Sequence, residues 1–238
     1  MKFSAIIFDL DGTLLDSLPD IATAANEVLD QQGCPTHSLD AYRYLVGEGV
    51  VRLFTKALPP DRVTESLVAD CVRRFRESYE RTWNVQTRLF QGISELLTEL
   101  TRRQSALAVL SNKPHTFTQK CVQHYLGSFS FQAVEGVREG MARKPDPAAA
   151  KQIALLLNRP VFEFVFVGDT AVDMQTATAA GMYAVGAAWG YREVEELQGA
   201  GARTILQQPA QLTDLLDGKI GPLRPTSSVA GLARPRQN

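Results

Sequence analysis

Ala5-Ile6-Ile7-Phe8-Asp9-Leu10-Asp11-Gly12-Thr13-Leu14 is the stretch whose reading decides the fold. Its apolar start runs on without alternation, the pattern of a strand buried on both faces of a parallel sheet. It then breaks into two carboxylates, a glycine and a hydroxyl. Side chains alternate along a strand, so Asp9 and Asp11 would point the same way if the strand persisted, and Gly12 would let the chain turn away. Two like charges at the mouth of a core strand are costly unless a cation or a proton offsets them. The carboxyl end of such a strand is also where an α/β sheet binds its ligand. Taken by itself, the D-x-D could equally be polar punctuation before an ordinary Asp-Gly turn.

From Ser17 to Trp83 there is no strand signal. Ile21, Ala25, Val28 and Leu29 fall at helical spacing over about Asp20 to Gln32, closed by Gly33 and Pro35. Ser38 reads as the N-cap of a helix carrying Leu39, Tyr42 and Leu45. Val46 to Val51 is a glycine-bearing loop and a helix start. Pro59-Pro60-Asp61 breaks the chain before a long amphipathic helix, about Val63 to Trp83, with Leu67, Cys71, Phe75 and Tyr79 on one side.

From Phe90 onward helices and strands alternate. Gly92 to Arg103 is helical, and Ser105 to Leu110 is a strand ending in Ser111-Asn112-Lys113, with Pro114 opening a helix to about Tyr125. Phe131 to Val134 is a short strand. A helix follows Lys144-Pro145-Asp146-Pro147, and Phe162 to Val167 is a second strongly apolar strand ending in Gly168-Asp169-Thr170. Val172 to Ala180 is helical, Tyr183 to Val185 and Thr204 to Leu206 are strands, and Ala210 to Leu216 is a last helix. Repeated β-α units give an α/β fold, a Rossmann-like parallel sheet core with a helical insertion after the first strand.

The 238 residues suffice for one large domain or a domain with an inserted module, and a 45% hydrophobic, 21% charged composition is that of a globular protein. A net charge of -1 gives no support for a nucleic-acid partner, and no apolar run is long enough to span a bilayer. Cys34, Cys71 and Cys121 are scattered and odd in number, which fits packing residues in a reduced cytoplasm rather than a zinc or disulfide framework.

Three later positions carry polar groups suited to phosphoryl transfer. Ser111 follows an apolar strand and is expected at a helix start, where free N–H groups favour anions. Lys144 precedes a proline and so sits in extended backbone, able to place a point charge on phosphoryl oxygens. Asp169 and Asp173, four apart at a helix start, are expected on one face, and with Asp9 would make a hard oxygen cage of the kind Mg²⁺ prefers. Singly, these are an N-cap, a solvated lysine and helix-capping aspartates. Their succession, each at a strand end or before a helix, carries the signal.

The set Asp9-Leu10-Asp11-Gly12-Thr13, Ser111-Asn112-Lys113, Lys144-Pro145-Asp146 and Gly168-Asp169-Thr170 with Asp173 resembles the four signature motifs of haloacid dehalogenase-like phosphatases. The insertion sits where that family carries its smaller cap, so the expected division is a core of residues 1–16 and 85–217, a helical cap of residues 17–84 and a disordered tail of residues 218–238. Gly186 to Tyr191, Ser17 to Asp20 and Val46 to Gly49 are similar to segments of its phosphoglycolate phosphatase branch. The resemblance implies that Asp9 attacks phosphorus and that Asp11 is the general acid and base. It also implies that Mg²⁺ is held by Asp9, the Asp11 carbonyl, Asp169 and Asp173, and that Ser111 and Lys144 stabilise the transferring group. Thr13 and Asn112 would assist through hydrogen bonds.

Specificity would lie in the cap, with Gly47 and Gly49 letting backbone approach the ligand and Arg52 either meeting a substrate carboxylate or standing solvated. The expected substrate is a small phosphorylated metabolite, 2-phosphoglycolate first. A pyrophosphatase, a sugar-phosphate phosphatase and a phosphosugar mutase share the fold, and a non-catalytic metal-binding or regulatory module is the reading from another class. A monomer or a homodimer is equally compatible.

Overall fold

The computed structural model describes residues 3–223. In chain order the elements are β1 (Ala5–Phe8), β2 (Leu15–Asp16), α1 (Leu18–Gln31), α2 (Leu39–Leu45), α3 (Val50–Ala57), α4 (Glu65–Thr82), β3 (Arg88–Leu89), α5 (Ile93–Arg102) and β4 (Ala106–Pro114). There follow α6 (His115–Leu126), β5 (Ala133–Val137), α7 (Ala148–Leu156), β6 (Phe164–Gly168), α8 (Ala171–Ala180), β7 (Tyr183–Ala187), α9 (Val194–Gly199), β8 (Thr204–Leu206) and α10 (Gln211–Leu216).

Six strands form one parallel sheet in the order β5-β4-β1-β6-β7-β8. The strand opened by the deciding stretch lies inside the sheet, between β4 and β6. Its unbroken apolarity has a direct cause. Ile6 and Phe8 enter the core on one face, and Ala5 and Ile7 enter the core on the other. Burial of each of the larger side chains stabilises by about 1.5–3 kcal/mol. The same sorting repeats in the neighbours, with Leu107, Val109, Val165 and Val167 on the Phe8 face and Ala108, Phe164 and Phe166 on the Ile7 face.

The helical insertion spans α1 to α4 and is entered and left through the antiparallel pair β2–β3, where Leu15 faces Leu89 and Asp16 faces Arg88. The two crossings of the chain therefore lie side by side. Asp20, buried in the first turn of α1, fastens them by accepting from the backbone N–H groups of Gln86 and Thr87 and from the Thr87 hydroxyl. Ser38 caps α2 and Thr64 caps α4 by accepting the N–H groups of Ala41 and Leu67. The apolar stripe of α4, including Cys71, Phe75 and Tyr79, is buried in the cluster that also holds Phe8 and Val167.

The structure corrects three local expectations. The strand of Ser105 to Leu110 continues as β4 through Pro114, so Ser111 lies in extended chain and α6 begins only at His115. β1 ends at Phe8, before the two aspartates, so strand alternation does not set their directions. Asp169 precedes the N-cap Thr170 and is not on α8, whereas Asp173 is in its first turn. The expected tail from Gly218 begins against the core, where Leu223 N–H donates to the Arg203 carbonyl at 2.7 Å and Thr204 Oγ1 to the Gly221 carbonyl at 3.1 Å. Residues 224–238 of that tail lie outside the described residues.

Candidate active site

The strand order brings three carboxyl ends together at the centre of the sheet: Asp9 just past β1, Ser111 to Lys113 at the end of β4, and Asp169 just past β6. Asp9, Asp169 and Asp173 are buried, and each offers a carboxylate oxygen within 4.8 Å of the others. Into this group projects Lys144, its Nζ 2.9 Å from Asp9 Oδ1 and 2.6 Å from Asp173 Oδ1. Lys144, which taken alone would be a solvated lysine and within the set a charge for the phosphoryl group, is buried.

Each carboxylate is oriented by its own donors. Asp9 Oδ1 also accepts from the Leu10 N–H at 2.7 Å, while no hydrogen bond reaches its Oδ2 among the described residues. Asp169 Oδ1 accepts from Thr13 Oγ1 and Oδ2 from the Tyr191 N–H, both at 2.9 Å. Asp173 Oδ2 accepts the N–H and the hydroxyl of Thr170, closing a capping box on α8. Thr13, expected to assist through hydrogen bonds, gives its hydroxyl to Asp169. The packing around Asp169 admits no side chain at two positions: a Cβ added at Gly12 would stand 2.2 Å from Asp169 Oδ2, and one at Gly190 would stand 2.2 Å from Asp169 Cβ.

Three carboxylates here face one ammonium, two charges short of neutrality when all are ionised. Burial therefore pushes Asp9 up to about 7 against the pull of Lys144, with Asp173 adding to the rise. It pushes Asp169 up to about 8, reinforced by Asp173 and Asp9. Burial would pull Lys144 down, but Asp173 and Asp9 outweigh it and hold the ammonium above its ordinary value. A divalent cation would supply the missing charge, and an all-oxygen donor set suits a hard ion. The residues present fit such a metal.

Asp11 turns elsewhere. Both its oxygens lie 3.1 Å from Lys113 Nζ, and Ser17 Oγ donates to Oδ1 at 2.5 Å, so its side chain stands outside the three-carboxylate group. Lys113 is buried and also donates to the Tyr79 hydroxyl of α4 at 2.9 Å, joining core to insertion. Asn112 fastens another joint: its Nδ2 donates to the carbonyls of Gly47 and Lys144, and its Oδ1 accepts the Lys144 N–H. From the insertion, Arg43 donates to the carbonyls of Tyr191 and Gly190.

A cavity opens between the strand ends and the insertion. Asp9, Asp11, Ser111 and Asn112 line its floor, and Gly47, Gly49, Val50, Leu53, Phe75 and Arg76 line its roof. Arg52 is not on that lining. It is exposed and directed at Glu48, 3.9 Å from its carboxylate. Lys113, Tyr79, Arg76 and Tyr191 belong to the site without having been singled out in sequence. Lys113 was visible in Ser111-Asn112-Lys113, but Tyr79 read only as part of an apolar helical stripe.

A family model described as haloacid dehalogenase-like hydrolase matches residues 6–187. The chain is 33% identical over 191 residues to the phosphoglycolate phosphatase of Pseudomonas putida, covering 78% of this chain and 70% of that protein. It is 32% identical over 200 residues to the phosphoglycolate phosphatase of Vibrio cholerae, covering 82% of this chain and 88% of that one. A solved structure described as a "putative phosphoglycolate phosphatase" from Lactobacillus delbrueckii subsp. bulgaricus superposes with a TM-score of 0.85 at 31% identity, covering 91% of this chain and 99% of that one.

Proposed function

We propose, on the premise that this chain belongs to the haloacid dehalogenase-like hydrolase family, that it is a metal-dependent phosphatase releasing phosphate from a small phosphomonoester through an aspartyl-phosphate on Asp9. The observation that carries this reading is the state of Asp9. It is buried, one oxygen is held by Leu10 and Lys144, and the carboxylate still lines the cavity with Oδ2 accepting no hydrogen bond among the described residues.

In the proposed sequence Asp9 attacks phosphorus, the ester oxygen leaves, and a phosphorus–oxygen bond to the Asp9 carboxylate forms. Asp11, across the cavity floor, donates the proton that the leaving oxygen takes up, then accepts a proton from the water that cleaves the acyl phosphate. Ser111 and Lys144 stabilise the charge on the transferring group. Lys113 orients Asp11. Asp9, Asp169, Asp173 and the Asp11 carbonyl would hold the metal, which we assign as Mg²⁺ because every donor is a hard oxygen. When bound it lowers the repulsion between anionic nucleophile and anionic ester. The insertion, residues 17–84, acts as the cap that excludes water from the acyl phosphate.

The names of the relatives make 2-phosphoglycolate the first substrate to try. The buried, unpaired cysteines fit a cytoplasmic setting, and among the described residues no helix is long and apolar enough to cross a membrane. The test is phosphate release from 2-phosphoglycolate, pyrophosphate and hexose phosphates, with and without EDTA, in wild type and Asp9→Asn. Turnover that EDTA and Asp9→Asn both abolish is expected. Undiminished turnover in Asp9→Asn would overturn the mechanism, and conversion of a sugar phosphate to its isomer without free phosphate would make it a mutase.

A further inference from the structure

Helix α4 carries four arginines that face differently. Arg73 pairs with Asp70 and with Glu77, Arg74 with Asp70 at 2.8 Å, and Arg81 with Glu27 at 3.5 Å. Arg76, in their midst, has no carboxylate partner among the described residues, yet it lines the cavity above Asp9 and Asp11. It is the one charged side chain that the insertion contributes to that lining. The rest of the insertion's wall is largely apolar: Ile21, Val50, Leu53 and Phe75, with Tyr79 stacked on Phe75 at 5.2 Å between ring centroids. Phe117 of α6 adds to it from the core side.

We propose that Arg76 is the specificity residue of this site, reading an anionic group at the far end of a substrate whose leaving part has an apolar body. This rests on the phosphatase reading above and deepens it. The cations of the floor are already committed, Lys144 to Asp9 and Asp173 and Lys113 to Asp11. They serve the reacting end. Among the described residues that line the cavity, a second anion on the substrate would meet an uncommitted cation at Arg76, whose planar fork matches a carboxylate or a phosphate in two parallel hydrogen bonds. Between the two ends, methylenes or a ring would cover Val50, Leu53 and Phe75 and remove that apolar surface from water. An uncharged polar leaving group would satisfy neither feature. Arg52, the sequence candidate for this task, is held by Glu48 away from the cavity.

The experiment compares phosphorylated ω-hydroxy acids of two to six carbons, beginning with 2-phosphoglycolate, against n-alkyl phosphates of matched length. Wild type, Arg76→Met and Arg76→Lys are each assayed. Wild type is expected to favour the acids, and kcat/KM to rise with chain length. Arg76→Met should raise KM for the acids by about tenfold or more, the equivalent of about 1.4 kcal/mol, with kcat little changed. The same variant should lose markedly less on the alkyl phosphates than on the acids, and a thermal melt beside wild type reports that it folds. Arg76→Lys should fall between. An acid preference that survives in Arg76→Met, or an equal loss on both series, would overturn the assignment of Arg76. An acid series whose kcat/KM falls as methylenes are added would overturn the apolar body. If wild type cleaves neither series but releases phosphate from hexose phosphates or pyrophosphate, this inference fails while the phosphatase reading stands; if it releases phosphate from none of them, both fail.

Discussion

Gly12 approaches Asp169 so closely that a Cβ there would stand 2.2 Å from the carboxylate, and its φ of +88° lies where L side chains are strained. Gly12→Ala is therefore expected to cost about 1–3 kcal/mol in stability and to push Asp169 out of the three-carboxylate group. Urea unfolding would measure the first effect and calorimetric titration with Mg²⁺ the second. Wild-type metal affinity in Gly12→Ala would mean that Asp169 is not a ligand.

Lys144 is the only cation between Asp9 and Asp173 among the described residues. Lys144→Met leaves those carboxylates facing one another and is expected to cost about 3–5 kcal/mol in metal-free protein. Saturating Mg²⁺ should restore part of that stability. It should not restore turnover, which should stay down by roughly 10²–10³-fold because the transferring group has lost a stabilising charge. Thermal melts beside initial rates would separate the two, and full turnover in the variant would remove Lys144 from the mechanism.

The pH dependence follows from the raised carboxyls of Asp9, about 7, and Asp169, about 8. In the unfolded chain both titrate near about 3.9, so between about pH 4 and 8 the folded protein holds protons that the unfolded chain has lost. Their contribution to metal-free stability is fully present below about pH 4 and is lost as pH rises through 7 and 8. Metal binding runs the other way, since it needs the ionised forms. The melting temperature in EDTA should drop between pH 5 and pH 8, and the increment from added Mg²⁺ should be larger at pH 8 than at pH 6. A metal increment independent of pH would show that these carboxyls are not the ligands.

Lys113 joins Asp11 to Tyr79, and the two partners should respond differently when cut. Tyr79→Phe removes one hydrogen bond between insertion and core, worth about 1 kcal/mol, and should change KM more than kcat. Lys113→Met leaves Asp11 with Ser17 alone and should lower kcat by roughly 10²-fold, through a misplaced acid. Steady-state kinetics on one ester would compare them. Equal, small effects would mean that Lys113 is only a structural tie.

The fold was legible because its signals are local. The apolar run of Ala5 to Phe8, the second run ending at Gly168, and the capping residue Ser38 each follow from a few neighbouring side chains. The site was legible only as far as strand ends announce it. Ser111 was placed at a helix start because Pro114 resembles an N1 residue, whereas pairing with β5 carries β4 through Pro114. For Arg52 the local sequence leaves a substrate contact and a solvated helix residue both open, and nothing local shows that Glu48 engages it.

By itself the sequence determined that two buried strands would each end in carboxylates beside a flexible turn, since burial and chain reversal are written in adjacent residues. Tertiary structure alone decided which of those carboxylates share a centre. Asp9 meets Asp173 through a lysine far along the chain, while Asp11, two residues from Asp9, is drawn to Lys113 and Ser17. The reason is electrostatic: in a buried site a charge settles against whichever opposite charge the packing delivers, and that delivery depends on strand order, not on spacing along the chain.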